Sequence, residues 1–214
     1  MIKSVGRNGV ILGVFALVTT ALIGLTFLGT REQIAKQQFE LLSRTLNDVM
    51  PKTHYVNALI EDCVWVSNPV LHSDKPQRVY RARAAEQAAG FVVETTAPNG
   101  YSGNIHMLVG MLLDGTVTGV RVLDHKETPG LGDKIDLRVS DWVLSFTGQK
   151  VSPETTDIWE VKKEGGQFDQ FTGATITPRA VVNQIEATVL FATENIETLL
   201  NAKSDCSIRE DSGA

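Results

Sequence analysis

The stretch "DQFTGATITPRAVV" at residues 169–182 crowds three hydroxyls and a glycine in front of a proline-led apolar run. Thr177 followed by Pro178 reads as a helix start. A threonine at the cap accepts a backbone N–H, and proline is tolerated at the first helical position. That accounts for Thr177 and leaves Thr172, Gly173, Ala174 and Thr175 without a task. Small residues ahead of a helix N-terminus let a ligand approach the backbone, where free N–H groups and the helix dipole favour an anion such as phosphate. The hydroxyls of Thr172, Thr175 and Thr177 add donors. The pattern is short, so residue chemistry alone leaves an anion site and an ordinary cap both open.

A second candidate is "HKETPGLGDK" at 125–134. Pro129-Gly130 suits the two central positions of a type II turn, and Gly132 adds another unrestricted position. Leu131, between the glycines, is placed to press an apolar side chain onto a flat ring. The plain alternative is a connecting loop with His125, Glu127 and Lys134 in water.

The elements that position these loops follow from the pattern of the chain. The clearest strands are "IHMLVGMLL" (105–113) and "TVTGVRVL" (116–123). Asp114-Gly115 joins them as a hairpin signal in which both turn positions want positive φ. Further strands are expected at 56–60, 64–66, 78–83 and 90–95, and "DIWEVKK" (157–163) reads as another. A helical patch is expected over 137–147. From Pro178 to Leu200 the apolar residues Val181, Val182, Ile185, Val189, Ala192, Ile196, Leu199 and Leu200 keep a 3.6-residue period, which predicts one long helix. The residues from 201 onward are polar and expected to be loose. The mix is α+β.

Gly9 to Gly29 holds no charged residue. As a helix it spans about 31 Å, the thickness of a bilayer's hydrocarbon core. A cleaved signal has an apolar region of about 7–15 residues ending in a small-x-small site, whereas this run leads straight into Thr30-Arg31-Glu32. A retained anchor is therefore expected. Ile34, Phe39, Leu42, Leu46 and Val49 continue the helix as a stalk that then packs on the domain, and Pro51 stops it. The expected organisation is a cytoplasmic tail (1–8), a transmembrane helix (9–29), a stalk (30–51), a mixed α/β domain (52–203) and a polar tail (204–214). Lys3 and Arg7 put the short N-terminal tail in the cytoplasm by the positive-inside tendency. The domain is then periplasmic if the cell is Gram-negative.

Charge and cysteines narrow the function. The formal net charge is −5, and every acidic residue follows Arg31, so no basic face is offered to nucleic acid. Cys63 and Cys206, the two cysteines, have no metal-ligand spacing, and no metal site is expected. In an oxidising compartment they can pair as a disulfide; the sequence leaves paired and separate thiols equally open.

Taken together, "ETPGLGD" about forty residues ahead of Asp-x-x-Thr-Gly-Ala-Thr, behind one N-terminal apolar helix, resembles the FMN-binding subunits of two related respiratory complexes. One is the G subunit of the Rnf (Rsx) electron-transport complex, and the other is the C subunit of the sodium-translocating NADH:quinone reductase. The likeness covers essentially the whole chain, and its compact length favours the Rnf G subunit. In that family the motif is the signal for a flavin transferase, which moves FMN from FAD onto the last threonine through a phosphoester. The resemblance therefore implies Asp169, Thr172, Gly173, Ala174 and Thr175 as the recognition signal and Thr175 as the point of covalent FMN attachment. It implies cofactor contacts from Thr172, Gly173, Ala174 and Thr177 and from the loop Glu127, Thr128, Pro129, Gly130, Leu131 and Gly132. No catalytic residue beyond the cofactor site is expected. The implied protein is a single-pass inner-membrane subunit with its domain in the periplasm, relaying electrons in an ion-translocating complex. Its partners would be the other membrane subunits, the flavin transferase during maturation and membrane lipid. A membrane-anchored anion-binding or assembly protein without covalent flavin is the alternative.

Overall fold

A computed structural model describes residues 2–73, 75–85 and 87–206, with backbone alone for 2–5. The chain divides into two compact units, Met1–Leu42 and Ser43–Ala214.

Unit one is helical. Helix α1 is assigned over Ile2–Val49, and among the described residues one helix is long and apolar enough to cross a membrane. Between residues 9 and 29 its apolar side chains, Leu12, Phe15, Leu17, Ile23 and Phe27 among them, are exposed, the pattern expected of a helix that crosses a membrane. The hydroxyls within it turn inward: Thr19 donates to the Phe15 carbonyl at 3.0 Å and Thr26 to that of Leu22 at 2.8 Å. Such back-bonding hides polarity where no water is available.

Unit two is a five-stranded antiparallel meander with strand order β1-β2-β3-β4-β5. The strands are β1 (Cys63–Val66), β2 (Gln77–Ala84), β3 (Gln87–Gly100), β4 (Gly103–Leu112) and β5 (Val117–Asp124). Helix α2 (Ile176–Glu194) lies over one face, and α3 (Ile196–Asn201) follows it. Phe91, Val93 and Ala97 of β3 and Ile105, Met107, Val109 and Met111 of β4 alternate into one core with Val181, Val182, Ile185 and Val189 of α2. The two-residue period of the strands meets the 3.6-residue period of the helix there. The aromatic rings of Phe146, Trp159 and Phe168 close one end of this core, with Trp142 and Phe171 beside them.

The sheet accepts the last turn of α1 through a pair of glycines. Gly110 and Gly119 are cross-strand partners, and a Cβ on either would stand within 2.8 Å of Val49 atoms. Without side chains there, Leu46, Val49 and Met50 bury fully. The Thr118 hydroxyl donates to the Val49 carbonyl at 2.8 Å, satisfying a helix-end acceptor.

Several sequence expectations change. Residues 56–60 form no strand; a 3₁₀ turn covers Leu59–Glu61. Asn57 takes over the pairing with its side chain, donating to the Arg81 carbonyl at 2.9 Å and accepting the Arg83 N–H at 2.8 Å. The turn at Asp114-Gly115 is longer than the two-residue hairpin expected. Only Gly115 has positive φ (+84°), the Asp114 carboxylate accepts the Thr116 N–H, and β5 begins at Val117. The helical patch at 137–147 shortens to a 3₁₀ helix, Asp141–Phe146, capped by Ser140. "DIWEVKK" is not a strand: short 3₁₀ turns at Thr156–Ile158 and Lys162–Glu164 flank a single bridge from Val161 to Phe168. Its alternation reflects two core anchors, Trp159 and Val161, and Trp159 Nε1 donates to the Lys150 carbonyl. The long helix begins two residues earlier than expected and breaks at Asn195, whose side chain donates to the Phe191 carbonyl and competes with the backbone ladder.

Residues 203–206 are pinned rather than loose. The Asp205 N–H donates to the Cys63 carbonyl at 2.9 Å, and Cys63 and Cys206 form a disulfide with Cα atoms 5.3 Å apart. The rest of the expected tail, 207–214, lies outside the described residues, as does Met1 of the expected cytoplasmic tail.

Candidate functional site

Three connections meet at one end of the sheet. The first is the tight turn from β3 to β4, where Gly100 pairs with Gly103 and Tyr101 and Ser102 stand at the tip. The second leaves β5 at His125, whose Nδ1 accepts the Glu127 N–H at 3.1 Å. It then makes the turn read from Pro129-Gly130: Gly130 has φ +79°, and the Thr128 carbonyl accepts the Leu131 and Gly132 N–H groups at 3.1 Å. The third is the turn Phe171–Ala174, with Gly173 at φ +83° and the Ala174 N–H donating to the Phe171 carbonyl at 3.1 Å. Both glycine turns use a backbone region that other residues rarely adopt. They sit side by side, since a Cβ on Gly173 would touch Leu131 Cδ2 at 3.5 Å.

The three connections enclose a cleft of about 280 Å³. Of the residues singled out in the sequence, Glu127, Thr128, Leu131, Gly132, Gly173, Ala174, Thr175 and Thr177 line it. Pro129 and Gly130 build the turn behind. Thr172 is exposed at the tip of its own turn. Asp169 stands outside, its carboxylate paired with Lys162 at 2.6 Å and its carbonyl accepting Trp142 Nε1 at 2.8 Å. Tyr101 and Ile176 also line the cleft and were not foreseen. The signal for Tyr101 was present in "NGYSG", a run of turn formers between two β-rich segments.

The threonines divide differently from the sequence expectation. Thr177 is not the cap. It is the second residue of α2, fully buried, and its hydroxyl donates to Glu127 Oε2. Thr175 holds the cap position: its carbonyl accepts the Arg179 N–H at 3.3 Å, while its side chain makes no capping bond. The backbone of Thr175 thus starts the helix, its hydroxyl is not used in capping, and the residue lines the cleft. The first N–H groups of α2 have no acceptor within the helix, and they lie at the same place. Glu127 is not solvated either. It is 5% exposed and accepts the Ser102 N–H at 2.9 Å through Oε1.

The walls above the threonine are apolar and open. Tyr101 is 68% exposed, Leu131 42% and Ile176 46%. No Lys or Arg is among the lining residues. Nor, among the described residues, do three or more His, Cys, Asp or Glu side chains gather as a metal cluster. The arrangement can take a planar ring against Leu131 and Tyr101 and an anion at the α2 N-terminus beside Thr175.

Residues 100–189, which include every lining residue of the cleft, match the FMN-binding domain family, and residues 1–49 match the RnfG N-terminal region. Curated relatives span nearly the whole chain. The G subunit of the ion-translocating oxidoreductase complex of Pseudoalteromonas atlantica is 51% identical over 207 residues, 96% of each chain. The protein of that name from Vibrio cholerae is 48% identical over 206 residues, covering 96% of this chain and 99% of that one. The one from Shewanella loihica is 47% identical over 210 residues, 98% and 99%. A crystal structure of Shewanella oneidensis NqrC superposes at TM-score 0.47 and 24% identity, over 72% of this chain and 73% of that one.

Fold, cleft and matches together define an FMN-binding-domain protein carried behind a single apolar N-terminal helix. More closely, the chain belongs to the family formed by the G subunits of ion-translocating oxidoreductase complexes.

The cleft offers what the two parts of FMN need, a helix N-terminus for the phosphate and apolar walls for the ring. Gly132 packs directly against two lining side chains, since a Cβ there would stand 2.6 Å from Glu127 Oε2 and 2.9 Å from Thr177 Oγ1. Gly173 and Ala174 add no bulk beside Thr175, so the backbone there is open to a phosphate and its chain.

Proposed function

We propose that the chain is the G subunit of a membrane-bound ion-translocating oxidoreductase complex and holds FMN covalently, through its phosphate, on Thr175 Oγ1. The observation that carries the attachment is the split role of Thr175: its backbone starts α2, while the half-buried residue lines the cleft and its hydroxyl makes no capping bond. The absence of Lys and Arg from the lining supports the same reading. Helix N–H groups alone stabilise a phosphate modestly, so a covalent tether answers how such a site keeps its cofactor.

Each wall then has a task. Transfer from FAD breaks its pyrophosphate bond, releases AMP and replaces the Thr175 hydroxyl proton with the FMN phosphorus; the ester keeps about one negative charge, which the N–H groups of Ile176 and Thr177 stabilise. Gly173 and Ala174 leave room for the ribityl chain. Leu131, Ile176 and Tyr101 supply the apolar faces for the ring. Asp169, Thr172, Gly173, Ala174 and Thr175 form the signal that a flavin transferase reads during maturation; Asp169, Thr172 and Gly173 are its exposed members, where a second protein can reach them. Bound FMN supplies electron transfer in one- or two-electron steps, and the protein's part is to hold and tune it.

Residues 9–29 cross the inner membrane in this reading, and 30–51 lead out to a periplasmic domain at 52–203. The crossing segment carries no ionisable side chain, so ion movement belongs to partner subunits.

The test is co-expression of the full chain with a flavin transferase, followed by ultraviolet imaging of a denaturing gel. Wild type is expected to fluoresce and Thr175→Ala to be dark. A dark wild-type band would remove the covalent claim, and a bright Thr175→Ala band would move the attachment elsewhere.

A further inference from the structure

We propose that Glu127 is a positioning residue: its buried carboxylate ties the three walls of the cleft together and thereby holds the flavin ring in place. This rests on the flavin reading above.

The two oxygens of Glu127 go to different walls. Oε1 accepts the N–H of Ser102, next to Tyr101, and Oε2 accepts the hydroxyl of Thr177, two residues beyond Thr175. The backbone of Glu127 leads into the third wall, the turn that carries Leu131. One side chain thus joins segments 25 and 50 residues away in sequence. The room for it is made by glycine. A Cβ on Gly100 would stand 2.9 Å from Oε1, and one on Gly132 would stand 2.6 Å from Oε2.

Among the described residues no Lys, Arg or His pairs with this carboxylate. Burying a charge held only by neutral donors is expensive, and an apolar contact would join the walls at less cost. What the carboxylate adds is direction. Two fixed acceptors set both the spacing and the angle of two donors, which packing alone does not. That matters because the tether at Thr175 fixes one end of a flexible chain and leaves the ring free. The ring is ordered only if the walls are already at the right spacing, and preorganisation lowers the entropy cost of holding it.

The experiment uses the full chain, flavinylated by co-expression and purified in detergent. Denaturing-gel fluorescence scores attachment; fluorescence anisotropy of the native protein scores whether the ring is held. Thr188→Val is the control, because it removes equally buried hydrogen bonds, to Thr95 at 3.0 Å and from Gln184 Nε2 at 3.3 Å, away from the cleft. Wild type, Thr188→Val and Thr177→Ser are expected to share one high anisotropy. In Thr177→Val and Glu127→Ala it should fall about twofold toward free FMN as the ring gains nanosecond motion. Thr177→Val keeps the test standing if Glu127→Ala fails to fold. Wild-type anisotropy in Thr177→Val, or a fall in Thr188→Val as large as in Thr177→Val, would overturn the positioning role. So would a Thr177→Ser that fails to restore order. A dark wild-type band on the gel is a separate outcome and strikes the flavin reading itself.

Discussion

Arg81 and Glu127 are both almost wholly buried, at 3% and 5% exposure, and both bond to segments distant in sequence. Arg81, in β2, meets a full complement of partners. Its Nε donates to Asp62 at 2.7 Å, and Nη1 donates to the carbonyls of Leu200 and Ala202 at 3.1 and 2.7 Å at the end of α3. A cation among helix-end carbonyls, with a carboxylate beside it, is well matched to the negative end of the dipole. Glu127 has neutral donors alone and sits in a wall of an open, apolar cleft. The first charge is satisfied where the chain needs a rivet. The second is tolerated where the cleft needs its walls at a fixed spacing. A buried charge therefore reads as structural or functional by what neutralises it and what lies next to it.

The largest effect that can break this contrast is Arg81→Met. It strands the α3 carbonyls and leaves Asp62 with Arg83 alone, whose Nε holds Oδ2 at 2.6 Å, so it should cost about 3 kcal/mol, the low end of the range for opening a buried pair. Denaturant unfolding measures the loss. The folded fraction should keep wild-type flavin anisotropy, because no partner of Arg81 touches the cleft. A Glu127→Ala protein is expected to show the reverse, with the smaller loss of stability and the looser ring. If Arg81→Met also frees the ring, the two charges are not separate devices.

The sequence was most readable where the cause of structure is local. A run of 21 uncharged residues, Pro129-Gly130 at a type II turn and the period of Val181 to Ala192 each depend on neighbours within a few positions. The motif proposed for attachment was readable because its residues are contiguous. The cleft's assembly was not, since Glu127 finds its partners across 25 and 50 residues and nothing in "HKETPGLGDK" reveals that. Thr177 was misread for a related reason. Thr-Pro satisfies every local rule for a cap, and only the tertiary contact with Glu127 shows that its hydroxyl is spent elsewhere. "DIWEVKK" alternates like a strand because Trp159 and Val161 both anchor in the core, yet among the described residues it makes only the single bridge from Val161 to Phe168.

The next effect sharpens the structural side of the contrast. Cys63 pairs across the sheet with Tyr80, the neighbour of Arg81, and its disulfide to Cys206 closes a separation of 143 residues. Cys206→Ser should lower stability by about 2–4 kcal/mol, chiefly by freeing the unfolded chain. Reductant should lower the melting temperature of wild type and leave Cys206→Ser unchanged, with flavin anisotropy constant throughout. The bond persists only in an oxidising compartment. Two free thiols in protein taken directly from its own membrane would count against the periplasmic placement.

The smallest effect concerns an ion pair of a third kind, half in water. Asp136 is buried beside the cleft loop, whereas the Arg138 that it binds is 85% exposed. The Arg138 hydrogen bonds hold the Asp136 carboxyl below its ordinary range, with burial opposing them and a weaker pull from His125. A carboxyl with a depressed folded pKa stabilises the protein fully above its unfolded pKa of about 4, and that contribution fades as pH falls through the lower folded value. Arg138→Gln should therefore melt slightly below wild type at pH 7, and the gap should close as the pH drops below about 4. Melting curves of both proteins across that range measure it. A gap that persists in acid would mean that Arg138 acts through something other than Asp136. A change in flavin anisotropy at neutral pH would mean that even this half-exposed pair, just beyond Gly132 in sequence, helps to set the cleft.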